Sequence, residues 1–178
     1  MKIFLIRHAS PDLSRRDIPY DILPGPELLL KGEKEAQALA EFLKPEAIAR
    51  LYYSPFERSA RTARIVGAVH GIACLEEKGL AEWRNVDEPE AQVRRRMLSV
   101  FERVAKESTQ LGPIGLVSHG GPIALLLLEL GMSNDELAPF RRRFDTTNPL
   151  PPAGAWRVER ARAEDGWNFE LVFKPNVS

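Results

Sequence analysis

Cysteine, net charge and long apolar runs are all scarce in this chain of 178 residues. Cys74 is the single cysteine, so an intramolecular disulfide framework is excluded. The 25 basic side chains are balanced by 25 acidic ones, so no overall field favours nucleic acid or an anionic membrane surface as a partner. The longest strongly apolar run, Pro122 to Leu130, is too short to span a bilayer.

The N-terminal residues also lack a secretory signal, because a strand pattern begins within two residues of Met1 and no small-residue cleavage site follows. Together with the single cysteine, this pattern predicts a cytoplasmic protein. The length and the hydrophobic fraction of 44% fit a single domain, residues 1–178, with a substantial core.

Short aliphatic runs alternate with helical periodicity, which is typical of parallel strands joined by crossover helices. The strand candidates are Ile3–Ile6, Leu51–Tyr53, Ile72–Leu75 and Ile114–Val117. Near the C-terminus, Trp156–Arg160 and Trp167–Phe173 flank Asp165-Gly166 and predict a β-hairpin. We therefore expect an α/β fold with a mostly parallel central sheet and a C-terminal hairpin.

The clearest helix start in the chain follows the second strand candidate. Ser54 is a favoured N-cap, Pro55 suits the first helical position and Glu57 completes a capping box. Gly71 is placed to end this helix. Arg58 lies in the first turn, away from the apolar stripe, so we expect it to reach past the end of the preceding strand.

Two of the three histidines stand where a buried strand candidate stops. Arg7 and His8 directly follow the first strand, whereas His119 follows the fourth and precedes Gly120, where a helix opens. The carboxyl ends of strands in an open α/β sheet are where ligands bind. With Arg58 between them in sequence, these residues predict a pocket for a phosphoryl group.

The residue types in this predicted pocket suit phosphoryl transfer, which depends on positioning and on stabilising charge spread over three oxygens. Arg7 and Arg58 each offer a planar fork that binds two oxygens and stays protonated. His119 adds a donor when it is protonated, a form that phosphate oxygens favour. The amide of Gly120, at a helix start, is placed to point at an anion.

His8 is suited to a different part, that of a nucleophile that attacks phosphorus and forms a phosphohistidine. This part requires a neutral ring with one nitrogen free to react, and two nearby arginines disfavour protonation of the ring. We expect the other ring nitrogen to donate to a backbone carbonyl, which fixes the tautomer.

Glu82 is the candidate for proton transfer, because cleavage of a phosphate ester expels an alkoxide that needs a proton. Its apolar neighbours predict burial, which raises the pKa of a carboxyl toward the range of a general acid. In hydrolysis the same group would then take a proton from the attacking water. The histidines lack the spacing of a zinc site, so we expect no metal and no cofactor.

Four segments together resemble the histidine phosphatase superfamily, which contains the cofactor-dependent phosphoglycerate mutases and many small phosphatases. Leu5-Ile6-Arg7-His8-Ala9 is similar to its Arg-His-Gly signature, and residues 54–63 resemble its second arginine motif. Leu80-Ala81-Glu82 resembles its acid–base segment, and residues 117–121 resemble its second histidine motif. The resemblance spans residues 2–130 in family order. It implies a three-layer α/β/α phosphatase that becomes phosphorylated on His8.

Three positions depart from the family pattern. Ala9 stands in place of the usual glycine, and Arg61 stands where the second motif often has glutamine. Ser14 occupies the position where many members place a phosphate-binding asparagine, so that contact is not carried over. Alanine stays small but tolerates a positive φ less well than glycine.

The favoured function is that of a metal-independent phosphatase acting on a small phosphorylated metabolite. The alternatives are a mutase-type phosphotransferase, a phosphohistidine-protein phosphatase and a non-catalytic phosphate-binding regulator. Glu82 argues against a nitrogen leaving group, which needs little acid help, and the short segment Val86 to Ala91 favours an open site and hydrolysis. The clusters Arg94–Arg96 and Arg141–Arg143 predict solvated faces, with attraction of an anionic substrate as the alternative.

Overall fold

The computed structural model describes residues 1–84, 86–144, 148–162 and 164–176. The strands are β1 (Lys2–Arg7), β2 (Arg50–Tyr53), β3 (Cys74–Glu76), β4 (Ile114–Ser118), β5 (Ala155–Glu159) and β6 (Asn168–Phe173). The helices are α1 (Leu30–Leu43), α2 (Glu57–His70), α3 (Glu90–Leu111), α4 (Gly120–Glu129) and α5 (Asn134–Phe144). Short 3₁₀ turns cover Lys44–Glu46 and Lys78–Leu80. The predicted alternation of strands and helices is confirmed.

The strands form one six-stranded sheet in the order β3-β2-β4-β1-β5-β6. The first four strands in this order pair in parallel, whereas β5 pairs antiparallel with both β1 and β6. The mostly parallel sheet and the C-terminal hairpin are therefore confirmed. Arg7 at the end of β1 lies opposite Ser118 at the end of β4, so the residues that follow these strands emerge side by side.

Apolar side chains cover both faces of the sheet. Ile3 and Leu5 of β1 point into a core that includes buried residues of α3 and α4. Phe4 and Ile6, which alternate with them, point into a second core with residues of α1 and α2. Such alternation is expected for a strand buried on both faces, and it produces the expected three-layer α/β/α sandwich. No helix among the described residues is long and apolar enough to cross a membrane.

The predicted cap of α2 is wrong. The helix begins at Glu57, with Phe56 at its N-cap position, and no side chain caps it. Ser54 is buried and its Oγ lies 2.7 Å from His119 Nε2, so its hydroxyl forms a hydrogen bond with the histidine that follows β4 rather than with the start of α2. The other end of the helix agrees with the prediction, because Gly71 adopts the left-handed φ of +65° that terminates it.

Candidate active site

His8 and His119 lie together at the carboxyl edge of the sheet. The backbone N–H of His8 donates to the carbonyl of Ser118 at 2.9 Å, which extends the pairing of β1 with β4 by one residue. The two imidazole rings are 5.1 Å apart between centroids, and both side chains are fully buried. The parallel pairing of the two strands therefore brings together histidines that are far apart in sequence.

Arg58 joins this pair from the first turn of α2, and its guanidinium is fully buried. Its Nη2 atom lies 3.2 Å from His119 Nδ1 and 3.2 Å from a carboxylate oxygen of Glu82. Glu82 lies in the segment that follows the 3₁₀ turn after β3. The structure thus places four of the residues expected from the sequence in one cluster: His8, Arg58, Glu82 and His119.

The hydrogen bonds of His8 fix its tautomer. Its Nδ1 atom lies 2.8 Å from the carbonyl oxygen of Ala9, which only accepts, so Nδ1 carries the proton and donates it. Nε2 therefore keeps its lone pair. Burial, followed by the positive charges of His119, Arg58 and Arg7, holds the pKa of His8 well below its ordinary value of 6.5. The ring is neutral near pH 7, as nucleophilic attack requires.

The expected rise in the pKa of Glu82 is wrong. Burial alone would raise this pKa, but His119 and Arg58 together with the N–H of Trp83 stabilise the carboxylate and lower its pKa to about 2. A phosphate dianion beside Arg58 and His119 would offset their positive charge, and the pKa of Glu82 would then rise. The role of proton donor expected from the sequence would therefore require a bound phosphate group beside Glu82.

His119 is subject to two opposing effects. Burial, the larger one, lowers its pKa below 6.5, whereas the carboxylate of Glu82 acts to raise it. Its Nε2 atom lies 2.7 Å from Ser54 Oγ, and its Nδ1 atom lies 3.2 Å from both Arg58 Nη2 and a carboxylate oxygen of Glu82. Nδ1 accepts from Arg58 in one tautomer and donates to Glu82 when it carries a proton. A phosphate group would add negative charge beside this ring and favour the protonated form expected from the sequence.

The remaining sequence-predicted residues occupy different positions around the cluster. Arg7 donates from Nη1 to the carbonyl of Leu150 at 3.1 Å, and it lines a cavity of about 600 Å³ together with Glu82 and Gly120. Gly120 opens α4, where a Cβ atom would overlap the side chain of Asn148. Ser14 is exposed and its N–H donates to the carboxylate of Asp12. The structure gives Ser14 no place in this cavity.

The three arginines of the cluster Arg94–Arg96 have different environments. Arg94 forms ion pairs with Glu90 and Glu129 on the protein surface. Arg95 is exposed, as expected for a solvated face. Arg96 instead turns toward the segment that carries Glu82, so the prediction of a solvated face is wrong for this residue.

Sequence reasoning missed two side chains that hold the turn after His8. Thr62 accepts a hydrogen bond from the N–H of Ala9 at 3.0 Å, and the buried carboxylate of Glu35 accepts from both the N–H and the hydroxyl of Ser10. A signal for Glu35 was present, because it lies one helical turn after Gly32 on the buried stripe of α1. A carboxylate at such a position indicates a buried partner.

Tyr20 was also missed, although it contacts the predicted nucleophile. Its hydroxyl lies 3.2 Å from His8 Nε2, and its ring packs over the Arg58 guanidinium at 4.0 Å. Its carbonyl accepts a hydrogen bond from Arg58 Nη1 at 2.9 Å. Because Nε2 of His8 carries no proton, the tyrosine hydroxyl must be the donor. Tyr20 lies in a largely exposed loop without any motif, so no sequence signal pointed to it.

We expect Tyr20→Phe to increase kcat/KM up to about fivefold, since a neutral hydrogen bond contributes about 1 kcal/mol. With His8 Nε2 as the predicted attacking atom, the phosphorus must come within about 3–3.5 Å of it, so the hydroxyl would have to leave His8 before reaction. Steady-state kinetics on one phosphate ester measures the change, with Tyr53→Phe as the control, since Tyr53 packs against the core of α1 and α2. A decrease for Tyr20→Phe would show that the hydroxyl instead stabilises the transition state.

Three of the clustered residues also have the ligand types of a metal site. Atoms of His8, Glu82 and His119 lie within 4.8 Å of one another, a spacing that a divalent cation accepts. The Arg58 guanidinium, however, is only 3.2 Å from Glu82 and His119 and would repel a cation. The local charge therefore favours an anion.

Comparisons with known proteins agree with this geometry. Residues 3–90 match the model of the histidine phosphatase superfamily, branch 1. The structure is similar to a mycobacterial glucosyl-3-phosphoglycerate phosphatase, with 18% identity, a TM-score of 0.73 and coverage of 99% of each chain. It is also similar to a putative alpha-ribazole-5′-P phosphatase from Escherichia coli K-12, with 19% identity, a TM-score of 0.73 and coverage of 96% of each chain. At these identities the likeness shows the fold. No curated protein sequence matches the chain.

Proposed function

Because the chain belongs to the histidine phosphatase superfamily, we propose that it hydrolyses phosphomonoesters through a covalent phosphohistidine on His8. The observation that carries this proposal is the state of His8, a buried neutral ring whose Nδ1 proton is held by the Ala9 carbonyl. Its Nε2 lone pair lies among cationic groups that suit a phosphoryl group, while Glu82 supplies a carboxylate on the same cluster.

In the first half-reaction, His8 Nε2 attacks phosphorus and forms an N–P bond while the ester P–O bond breaks. Arg58 and Arg7 bind the equatorial oxygens, whose negative charge they stabilise. Glu82 takes the proton of the bound phosphate monoanion and passes it to the leaving oxygen, so the product departs as a neutral alcohol rather than as an alkoxide.

In the second half-reaction, the carboxylate of Glu82 takes a proton from water, and the water oxygen attacks the phosphoryl group. The N–P bond breaks, and inorganic phosphate leaves with His8 neutral again. Protonation of His119 beside the phosphoryl oxygens supplies a further donor in both steps.

Hydrolysis is better supported than the two enzymatic alternatives. A mutase must exclude water and retain its product, whereas the segment that joins Glu82 to α3 is short and adds no helix or strand above the site among its described residues. A phosphohistidine-protein phosphatase expels nitrogen and needs little acid help. The position of Glu82 beside His119 and Arg58 therefore argues for an ester substrate.

A chromogenic aryl phosphate assayed in the presence of EDTA tests the proposal. We expect steady release of phosphate at the same rate with and without the chelator, because the charge for the reaction comes from arginine and histidine. A phosphate-binding regulator would give no turnover above that of His8→Ala. Activity that EDTA removes and Zn²⁺ restores would instead assign the reaction to a metal held by His8, Glu82 and His119.

The cavity beside the cluster indicates what kind of alcohol leaves. Ala124, Leu125 and the ring of Trp83 supply apolar surface, and the indole N–H of Trp83 is already used on the Glu88 carbonyl. Arg141 of α5 lines the same cavity, and its buried Nε has no hydrogen-bond partner among the described residues. These features favour a small metabolite with an apolar part and an anionic group such as a carboxylate.

We expect Arg141→Ala to raise KM for phosphate esters that carry a carboxylate by about tenfold or more, since a hydrogen bond to a charged group contributes about 1.5–3 kcal/mol. KM for uncharged leaving groups should stay the same. Arg142→Ala is the matched control, because Arg142 is exposed on the same helix. If KM changes equally for charged and uncharged leaving groups, Arg141 does not recognise the anion.

A further inference from the structure

All five N–H groups of Arg96 in α3 donate hydrogen bonds, and every acceptor lies in the stretch from Gly79 to Glu88. Arginine carries five N–H groups in a rigid planar fork. Here Nη1 donates to the carbonyls of Gly79 at 2.8 Å and Ala81 at 2.9 Å, and Nη2 donates to the carbonyl of Glu82 at 3.3 Å. The remaining N–H groups, on Nε and Nη2, form a bidentate pair with the Glu88 carboxylate at 2.7 and 3.0 Å.

These bonds join two parts of the fold that differ in rigidity. α3 is a helix of 22 residues with a continuous buried stripe, so the backbone of Arg96 is held by packing. Residues 81–84, which include Glu82, have no regular secondary structure. Their carbonyl groups are oriented by Arg96, whose side chain is only 18% exposed. The guanidinium therefore anchors the segment that bears the Glu82 carboxylate to a well-packed helix.

We propose that Arg96 is the positioning residue that holds Glu82 in place for proton transfer, an inference that rests on the proposed phosphatase activity. Proton transfer requires the carboxyl within hydrogen-bond reach of the leaving oxygen. Phosphate binding by Arg58 and attack by His8 do not depend on the 81–84 segment in the same way. Lysine cannot replace the fork, because its ammonium is a point charge that does not reproduce the planar set of five bonds.

The inference predicts a defect that depends on the leaving group. Arg96→Lys keeps the positive charge but releases the carbonyls, so Glu82 loses its fixed position. A displacement of about 1 Å can cost about 10²-fold in rate, so kcat/KM for an alkyl phosphate should fall by about 10–100-fold. The phenolate of an aryl phosphate with an acidic phenol leaves without acid help, so kcat/KM for that substrate should fall less than about threefold.

The experiment compares Arg96→Lys with Arg95→Lys on both substrates, because Arg95 is exposed one residue away on the same helix. Arg95→Lys should match the wild type on alkyl and aryl phosphates alike. In a Glu82→Gln background, Arg96→Lys should produce little further loss on the alkyl phosphate, since both changes remove the same proton transfer. Glu88→Gln, which weakens the bidentate pair on Arg96, should reproduce the leaving-group dependence with a smaller loss.

Several results would overturn the inference. Equal losses of kcat/KM on both substrates would make Arg96 a residue of general structure, and unchanged rates on both would show that it has no effect on Glu82. Full additivity with Glu82→Gln would separate the two residues. If Arg96→Lys does not fold, Glu88→Gln decides between these outcomes. Absence of aryl phosphate turnover in the wild type would instead refute the proposed function.

Discussion

His8→Ala is expected to abolish both turnover and covalent labelling by a phosphate ester. Both ring nitrogens of His119 have partners in the protein, whereas Nδ1 of His8 donates to Ala9 and leaves Nε2 with a lone pair that, among the described residues, only the hydroxyl of a loop tyrosine, Tyr20, contacts. Loss of the nucleophile in a catalytic unit costs about 10⁴–10⁶-fold in kcat. The loss should affect alkyl and aryl phosphates alike, because both substrates react through the same nucleophile.

Labelling with ³²P-phosphate ester followed by quenching in alkaline denaturant measures the intermediate, because phosphohistidine is base-stable and acid-labile. The control is His70→Ala, since His70 lies at the C-terminal end of α2 and bonds the Ala40 carbonyl away from the cluster. His70→Ala should label and turn over like the wild type. Full labelling of His8→Ala would assign the nucleophile to another residue, with His119 the first to test.

The same variant should change the pH dependence of stability. Burial lowers the pKa of His8 in the folded protein, whereas the unfolded chain binds a proton near pH 6.5. Below that pH the unfolded state binds more protons, so the free energy of unfolding decreases as the pH falls. His8→Ala removes this contribution to the pH dependence, so between about pH 7 and pH 5 the Tm of the variant should decrease less than the Tm of the wild type.

The residues at the strand ends were predictable because their placement follows from local pattern and topology. Apolar runs that end in Arg7-His8 and in His119 had to emerge at one edge once the strands were parallel. Local hydrogen bonds were also predictable where the partner is near in sequence. Ser133 and Glu136 have the spacing of a capping box. At the start of α5 the N–H of Glu136 donates to Ser133 Oγ, and the N–H of Ser133 donates to the Glu136 carboxylate.

Prediction failed where a side chain has a distant partner. Ser54 has the sequence of a cap, but its partner is His119, on a strand end 65 residues away. Tyr20 and Arg96 contact the site through backbone carbonyls and a ring nitrogen, for which no residue pattern exists. The prediction of a raised pKa for Glu82 was wrong for the same reason, because its burial follows from its neighbours in sequence whereas its contacts with His119 and Arg58 do not.

Glu82→Gln is expected to lower kcat/KM for alkyl phosphates by about 10²–10⁴-fold, the usual contribution of general acid catalysis. Aryl phosphates with acidic phenols should lose far less, because their leaving groups need no proton. The comparison uses kcat/KM, which excludes steps after the phosphoenzyme forms. Glu76→Gln is the control, since Glu76 is exposed at the end of β3.

The pH profile of the alkyl phosphate should reveal where the proton comes from. The pKa of Glu82 is about 2, so the enzyme meets its substrate as a carboxylate, and the proton must arrive on the phosphate monoanion. Wild-type kcat/KM should therefore decrease above the second phosphate pKa, about 6, and this decrease should disappear in Glu82→Gln. Equal small losses on both substrates would assign the proton to another group. Glu88 and Glu90 are poor replacements, because Arg96 and Arg94 already bind their carboxylates.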